Sequence, residues 1–244
     1  MKKSIILFQL LLCYFLNSCS VDNDTYNLPP PNIQNPTIPT SITYRYLALG
    51  DSYTIGASVC ETCRFPEQLR RKLEMTIPNT SIDLAIIAQT GWTTTNLKTA
   101  ITAQNPSENY DLVTLLIGVN NQYQHKPFAL YEQEFPELLS KAIALAKGDM
   151  SHVIVVSIPN YRYTPYGNGL LNPDTVSLEI QQYNAFAANY CAENTVTFIS
   201  ITDITEQGLN YPDLVAQDGL HPSELAYTRF VERLLPVAAQ IISP

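Results

Sequence analysis

Ser52 lies in the run Gly50-Asp51-Ser52-Tyr53-Thr54-Ile55-Gly56. A serine hydroxyl is a weak nucleophile at neutral pH. It needs a positioned base to take its proton and a further group to fix that base's tautomer. Histidine is the natural base, and the chain has three: His125, His152 and His221. His152 introduces the apolar run Val153 to Val156 and reads as structural or exposed, and His125 sits in a polar loop beside Lys126. His221 alone has a carboxylate three residues before it, in Asp218-Gly219-Leu220-His221-Pro222. That short glycine-containing turn can bring both side chains to one place. Alone, an Asp-x-x-His is more often a surface turn.

Attack on an acyl carbonyl develops negative charge on its oxygen, and preorganised donors aimed there often supply the largest part of catalysis. The donors available are the backbone N–H of Ser52, the backbone N–H of Gly91 and the side-chain amide of Asn120. Taken singly, Gly91 is a loop glycine and Asn120 a turn-former. Four such segments in this order make coincidence a poor explanation.

Positioning these groups falls to a strand–helix alternation. Apolar runs rich in β-branched residues recur at Tyr46 to Leu49, Ile82 to Ala88, Leu112 to Ile117, Val153 to Ile158 and Val196 to Ile201, each suited to a buried strand. Between them, Phe128, Tyr131, Phe135, Leu138, Leu139, Ala142 and Leu145 repeat at helical spacing, as do Ile180, Tyr183, Ala187, Tyr190 and Cys191. Strands joined by crossover helices pair in parallel, which predicts an α/β fold, a three-layer α/β/α sandwich. Each chemically useful segment follows the carboxyl end of a strand, and in such a sheet those ends share one ligand-binding edge.

These segments resemble the blocks of the SGNH hydrolase superfamily, also called the GDSL-type esterases and lipases. Gly50-Asp51-Ser52 with Gly56 is similar to the first block, the surroundings of Gly91 to the second, Gly118 and Asn120 to the third, and Asp218 with His221 to the last. The resemblance spans Tyr46 to the C-terminal helix. It implies a flavodoxin-like sheet of five parallel strands in the order 2-1-3-4-5, with Ser52 as nucleophile, Asp218 and His221 completing a triad, and Ser52, Gly91 and Asn120 forming the oxyanion hole. Two positions depart from the pattern. Asn121 stands where Asp is usual, and Tyr53 where Leu is commoner, a change expected to leave the chemistry alone.

The chemistry so implied is acyl transfer to water, with no cofactor and no metal. Trp92, which follows Gly91, and Gln122 and Tyr123, which follow Asn120, are candidate substrate-binding residues, although an aromatic at such a place equally suits a core. With no long apolar lid evident, the expected substrate is a small-molecule or glycan ester carrying a short acyl group, as for a short-acyl esterase or carbohydrate deacetylase. Lysophospholipase or thioesterase activity is the alternative on this fold, and a non-catalytic glycan-binding surface lipoprotein the alternative from another class.

At the N-terminus, Lys2 and Lys3 precede an apolar run from Ile5 to Leu16, closed by Leu16-Asn17-Ser18-Cys19. Residues 1–18 read as a signal peptide of the lipoprotein type, too short to span a membrane comfortably, with Cys19 the expected lipidation site. The proline-punctuated stretch 19–44 reads as a tether, and residues 45–244 as one catalytic domain. The expectation is therefore an exported protein, lipid-anchored to a bacterial membrane on its periplasmic or cell-surface face. A net charge of −8 argues against nucleic acid as a partner and against simple electrostatic adsorption to an anionic bilayer. In an oxidising compartment Cys60 and Cys63 can close a small disulfide or contribute to a metal site that lacks further ligands, with the disulfide favoured. Cys191, on an apolar helical face, reads as a buried thiol.

Overall fold

The computed structural model describes residues 41–243. The signal segment, Cys19 and most of the proline-rich stretch lie outside the described residues. The strands are β1 (Ile42–Gly50), β2 (Thr80–Ala88), β3 (Leu112–Leu116), β4 (Val153–Val156) and β5 (Thr197–Ile199). They form one sheet in the order β2-β1-β3-β4-β5, every neighbouring pair parallel. This is the strand order that the family resemblance implies, and the layering that the strand–helix alternation predicts.

The strands lie where the apolar runs predict, with shifted ends. β1 begins at Ile42, three residues inside the stretch read as tether, and Ile42 to Tyr44 pair with Thr80 to Ile82. Ile42 and Thr43 are exposed, so no burial pattern announces this end. β3 at the centre is buried at all five positions, as a strand covered on both faces must be.

Helices α1 (Ser52–Ile55), α2 (Phe65–Thr76), α3 (Thr94–Gln104), α4 (Val119–Tyr123), α5 (Phe128–Leu145), α6 (Pro165–Asn168), α7 (Pro173–Glu193), α8 (Thr202–Thr205) and α9 (Glu224–Ile242) complete the order. α2 packs on α9 against one face of the sheet, and α3, α5 and α7 pack side by side on the other. The stripes are those expected of amphipathic helices: Tyr227, Phe230, Val231, Leu234 and Ala238 of α9 are buried, as are Tyr131, Phe135, Leu138, Leu139 and Ala142 of α5. Burying one such large apolar side chain stabilises the fold by about 1.5–3 kcal/mol.

Register places the site. Gly50, the last residue of β1, is level with Ala88 on one side and Leu116 on the other, so three chain exits emerge together at the carboxyl edge. Gly50 must itself be glycine, because a Cβ there would lie 2.1 Å from Thr54 Oγ1 and 2.5 Å from the Leu116 carbonyl.

Candidate active site at the carboxyl edge of the sheet

Asp51 turns β1 into α1. Its side chain accepts from the Tyr53 N–H at 3.0 Å, leaving Ser52 as the first helical residue, where a backbone N–H has no acceptor within the helix. The Asp51 carboxyl is fully buried, and its Oδ2 has no hydrogen-bond partner. Burial pushes its pKa up to about 7, with the Tyr53 N–H and the nearby Asn120 amide pulling the other way. Asn120 Nδ2 is also buried without a partner. It is near enough to favour the charged carboxyl without forming a hydrogen bond to it.

The Asp218–His221 turn is held by its own carboxylate. Asp218 Oδ1 accepts the backbone N–H groups of Leu220 and His221, each at 3.0 Å. Asp218 Oδ2 lies 2.5 Å from His221 Nδ1 and accepts from Ser58 Oγ at 2.6 Å. Burial alone would raise the pKa of this carboxyl, but the donors from Ser58, His221 and the backbone outweigh it and hold it well below the ordinary carboxylate range. An ionised carboxylate on Nδ1 places the hydrogen there and leaves the lone pair on Nε2. The Gly219 carbonyl, in turn, accepts the Tyr166 N–H at 2.9 Å.

Gly91 adopts φ +84°, a left-handed conformation that costs glycine little. Gln124 Nε2 donates to its carbonyl at 2.8 Å, tying the loop after β2 to the end of α4. Ser52, Gly91, Asn120 and His221 together line one cavity of about 170 Å³. No hydrogen bond joins Ser52 to His221, and catalytic contacts of this kind commonly tighten only with substrate bound.

The candidate substrate residues part company. Tyr123 lines this cavity, but Trp92 and Gln122 do not. Successive helical residues turn by about 100°, so Gln122 points away from the side shared by Asn120 and Tyr123. Its amide is committed below the surface, accepting from Tyr161 OH and donating to Glu179, both at 2.7 Å. Trp92 is half-buried against the core. Beyond Tyr123 and Tyr161, which border both spaces, lies a wider trough of about 470 Å³ walled by Tyr166, Leu170 and Leu171 and floored by Gln122 and Glu179. His125 lines that trough, away from Ser52, whereas His152 precedes β4 at the opposite edge of the sheet.

Several neighbours carry no sequence signal. Tyr53, whose departure from the family pattern is expected to leave the chemistry alone, lines the cavity, and its ring centroid is 5.4 Å from that of His221. Ser58 and Gln124 act across 160 and 33 positions. Cys60 and Cys63 are joined as a disulfide. Cys191 is a buried free thiol, its pKa pushed up to about 12 by burial. Among the described residues no group of three or more His, Cys, Asp or Glu is arranged to hold a metal ion.

Residues 48–229 match the GDSL-like Lipase/Acylhydrolase family. The chain belongs to that family. This GDSL-like hydrolase shares its fold with solved structures of low sequence identity. One is a lipolytic G-D-S-L protein from Veillonella parvula DSM 2008, at TM-score 0.61 and 19% identity, covering 80% of this chain and 98% of that one. Another is an acetylxylan esterase from Geobacillus stearothermophilus, at 0.60 and 21%, covering 84% and 96%. A lipase from a goat rumen metagenome aligns at 0.63 and 18%, covering 80% and 98%. No curated protein matches the GDSL-like chain.

Proposed function

We propose that this GDSL-like hydrolase is a serine esterase that releases short acyl groups, with carbohydrate acetates its preferred class, through an acyl-enzyme on Ser52. The observation that carries the reading is the convergence of Ser52, His221 with its Asp218 carboxylate, and the unpartnered Asn120 amide on one small cavity. His221 Nε2 takes the proton of Ser52 Oγ as the oxygen attacks the carbonyl carbon. Ser52 N–H, Gly91 N–H and Asn120 Nδ2 hold the resulting oxyanion. The proton passes from His221 to the departing alkoxide, which leaves as the alcohol. Water then enters, gives its proton to His221 and releases the acid, restoring Ser52. Asp218 keeps the imidazole in one tautomer throughout.

Size and lining favour a short acyl group and a hydroxyl-rich leaving group. A space of about 170 Å³ is small beside ordinary ligand pockets. The trough beyond it is floored by Glu179, whose hydrogen-bonded partner is a neutral amide, and an alkyl chain laid there would strip water from a carboxylate without replacing it. The acetylxylan esterase neighbour is consistent with this preference. Assay on nitrophenyl esters of graded chain length and on acetylated xylosides, beside Ser52→Ala, tests the reading. The expected result is Ser52-dependent turnover that is highest at acetyl; turnover that survives Ser52→Ala overturns it.

We also propose export and anchoring through a lipid on Cys19. Intact mass of the membrane-extracted protein should give a mature chain beginning at a diacylated Cys19, and any other N-terminus refutes the anchor.

A further inference from the structure

We propose that Ser58 is a positioning residue for the reaction, holding Asp218, and through it His221, in register with the segment that carries Ser52. The inference rests on the serine-esterase reading. Ser58 Oγ and His221 Nδ1 meet the same carboxylate oxygen, at 2.6 and 2.5 Å. The other oxygen is already taken by two backbone N–H groups. With both oxygens engaged, the carboxylate plane is fixed, and the imidazole it orients is fixed with it.

The chain around Ser58 is built to present that hydroxyl. Ser58 has φ +67°, uncommon for a residue with a Cβ, and conformations of this kind gather at functional sites. Its segment runs directly on from α1, and the Val59 N–H closes a turn on the Gly56 carbonyl at 3.3 Å. The disulfide between Cys60 and Cys63 closes the next turn. Gln68 Nε2 then bridges the carbonyls of Cys63, at 2.6 Å, and of Glu224, at 3.2 Å. Glu224 opens α9, three residues beyond His221. The segment following the nucleophile is therefore fastened to the base-bearing segment at two places, and Ser58, itself exposed, is the one that reaches the carboxylate beside His221. Among the described residues it makes the one side-chain hydrogen bond between the stretch 52–63 and the turn 218–221.

Removing that hydroxyl leaves His221 as the one side-chain partner of Oδ2 and opens that oxygen to water, and small displacements of a catalytic base are costly in rate. The loss expected in kcat is about ten- to a hundredfold, the worth of one hydrogen bond to a charged group.

The test uses Ser58→Ala and Ser58→Gly, the second of which relaxes the backbone as well. On nitrophenyl acetate both should lower kcat by that factor with KM within about twofold, and in an Asp218→Ala background Ser58→Ala should cost nothing more. Unchanged kcat in both variants, or an undiminished loss in the Asp218→Ala background, overturns the proposal. A readout independent of turnover is the proton resonance of His221 Nδ1, which should move in Ser58→Ala; a resonance that stays in place also overturns it. Should the wild-type chain hydrolyse no ester, the esterase reading fails, while the resonance still decides the Ser58 link.

Discussion

Asn121 grips Thr94 through both ends of its amide: Oδ1 accepts the Thr94 backbone N–H at 2.9 Å, and Nδ2 donates to Thr94 Oγ1 at 2.7 Å. The Thr94 hydroxyl then donates to Glu134 at 2.5 Å, and Thr95 and Lys98 meet the same buried carboxylate. The start of α3 is thereby locked to the residue beside Asn120. The SGNH pattern places Asp at this position, whereas here the negative charge stands at Glu134, one hydroxyl further on.

Asn121→Asp is expected to destabilise the fold by about 2–3 kcal/mol, because one hydroxyl proton cannot serve two buried carboxylates. Adding Glu134→Gln should recover most of the loss. Urea denaturation midpoints of the two variants check this, and a double variant no more stable than Asn121→Asp refutes it.

Asn120→Ala should lower kcat by about a hundred- to a thousandfold, with a smaller effect on KM, since in the proposed mechanism its amide meets charge that develops only in the transition state. Steady-state kinetics on nitrophenyl acetate decide it; a change confined to KM would remove Asn120 from the oxyanion hole.

Asp51 should make the fold less stable as pH rises. Its folded pKa, near 7, is above the usual unfolded value. Between about pH 4 and 7 the folded state therefore holds a proton that the unfolded state has lost. Stability is fully present below the unfolded pKa and declines until the folded pKa is passed, by up to roughly 4 kcal/mol. Asn at position 51 can still accept the Tyr53 N–H and has no charge to bury. The difference in melting temperature, Asp51→Asn minus wild type, should grow from pH 4 to pH 7 and level off above; a difference independent of pH counts against it.

Tyr53→Phe should retain turnover, whereas Tyr53→Leu should lower kcat by about three- to tenfold. The ring beside His221 places its π-electron density near the imidazolium that the proposed reaction forms, an interaction worth roughly 0.5–1.5 kcal/mol. Comparing kcat of the two variants on one ester measures it, and equal values would leave the ring a packing role alone.

Much of the architecture was legible because burial on both faces leaves continuous apolar runs, as in Leu112 to Ile117, and burial on one face leaves a helical stripe, as in Phe128 to Leu145. The exposed first residues of β1 were not legible, since Ile42 and Thr43 gain backbone pairing without burial. Ser52, Gly91, Asn120, Asp218 and His221 stood out because strand ends in a parallel sheet share one edge, so their position along the chain already implied proximity.

The residue pattern alone set the strand–helix order, and with it the edge at which the chemically useful residues had to gather. How those residues are held, and which neighbours reach them, was set by the packing of the layers. Ser58 meets Asp218 across 160 positions, Gln122 turns below the surface while Tyr123 faces the cavity, and Asn121 leans on Thr94. Periodicity records which face of an element is buried. It carries no record of which side chain from a distant turn supplies the last hydrogen bond, because that depends on distances fixed when the layers pack.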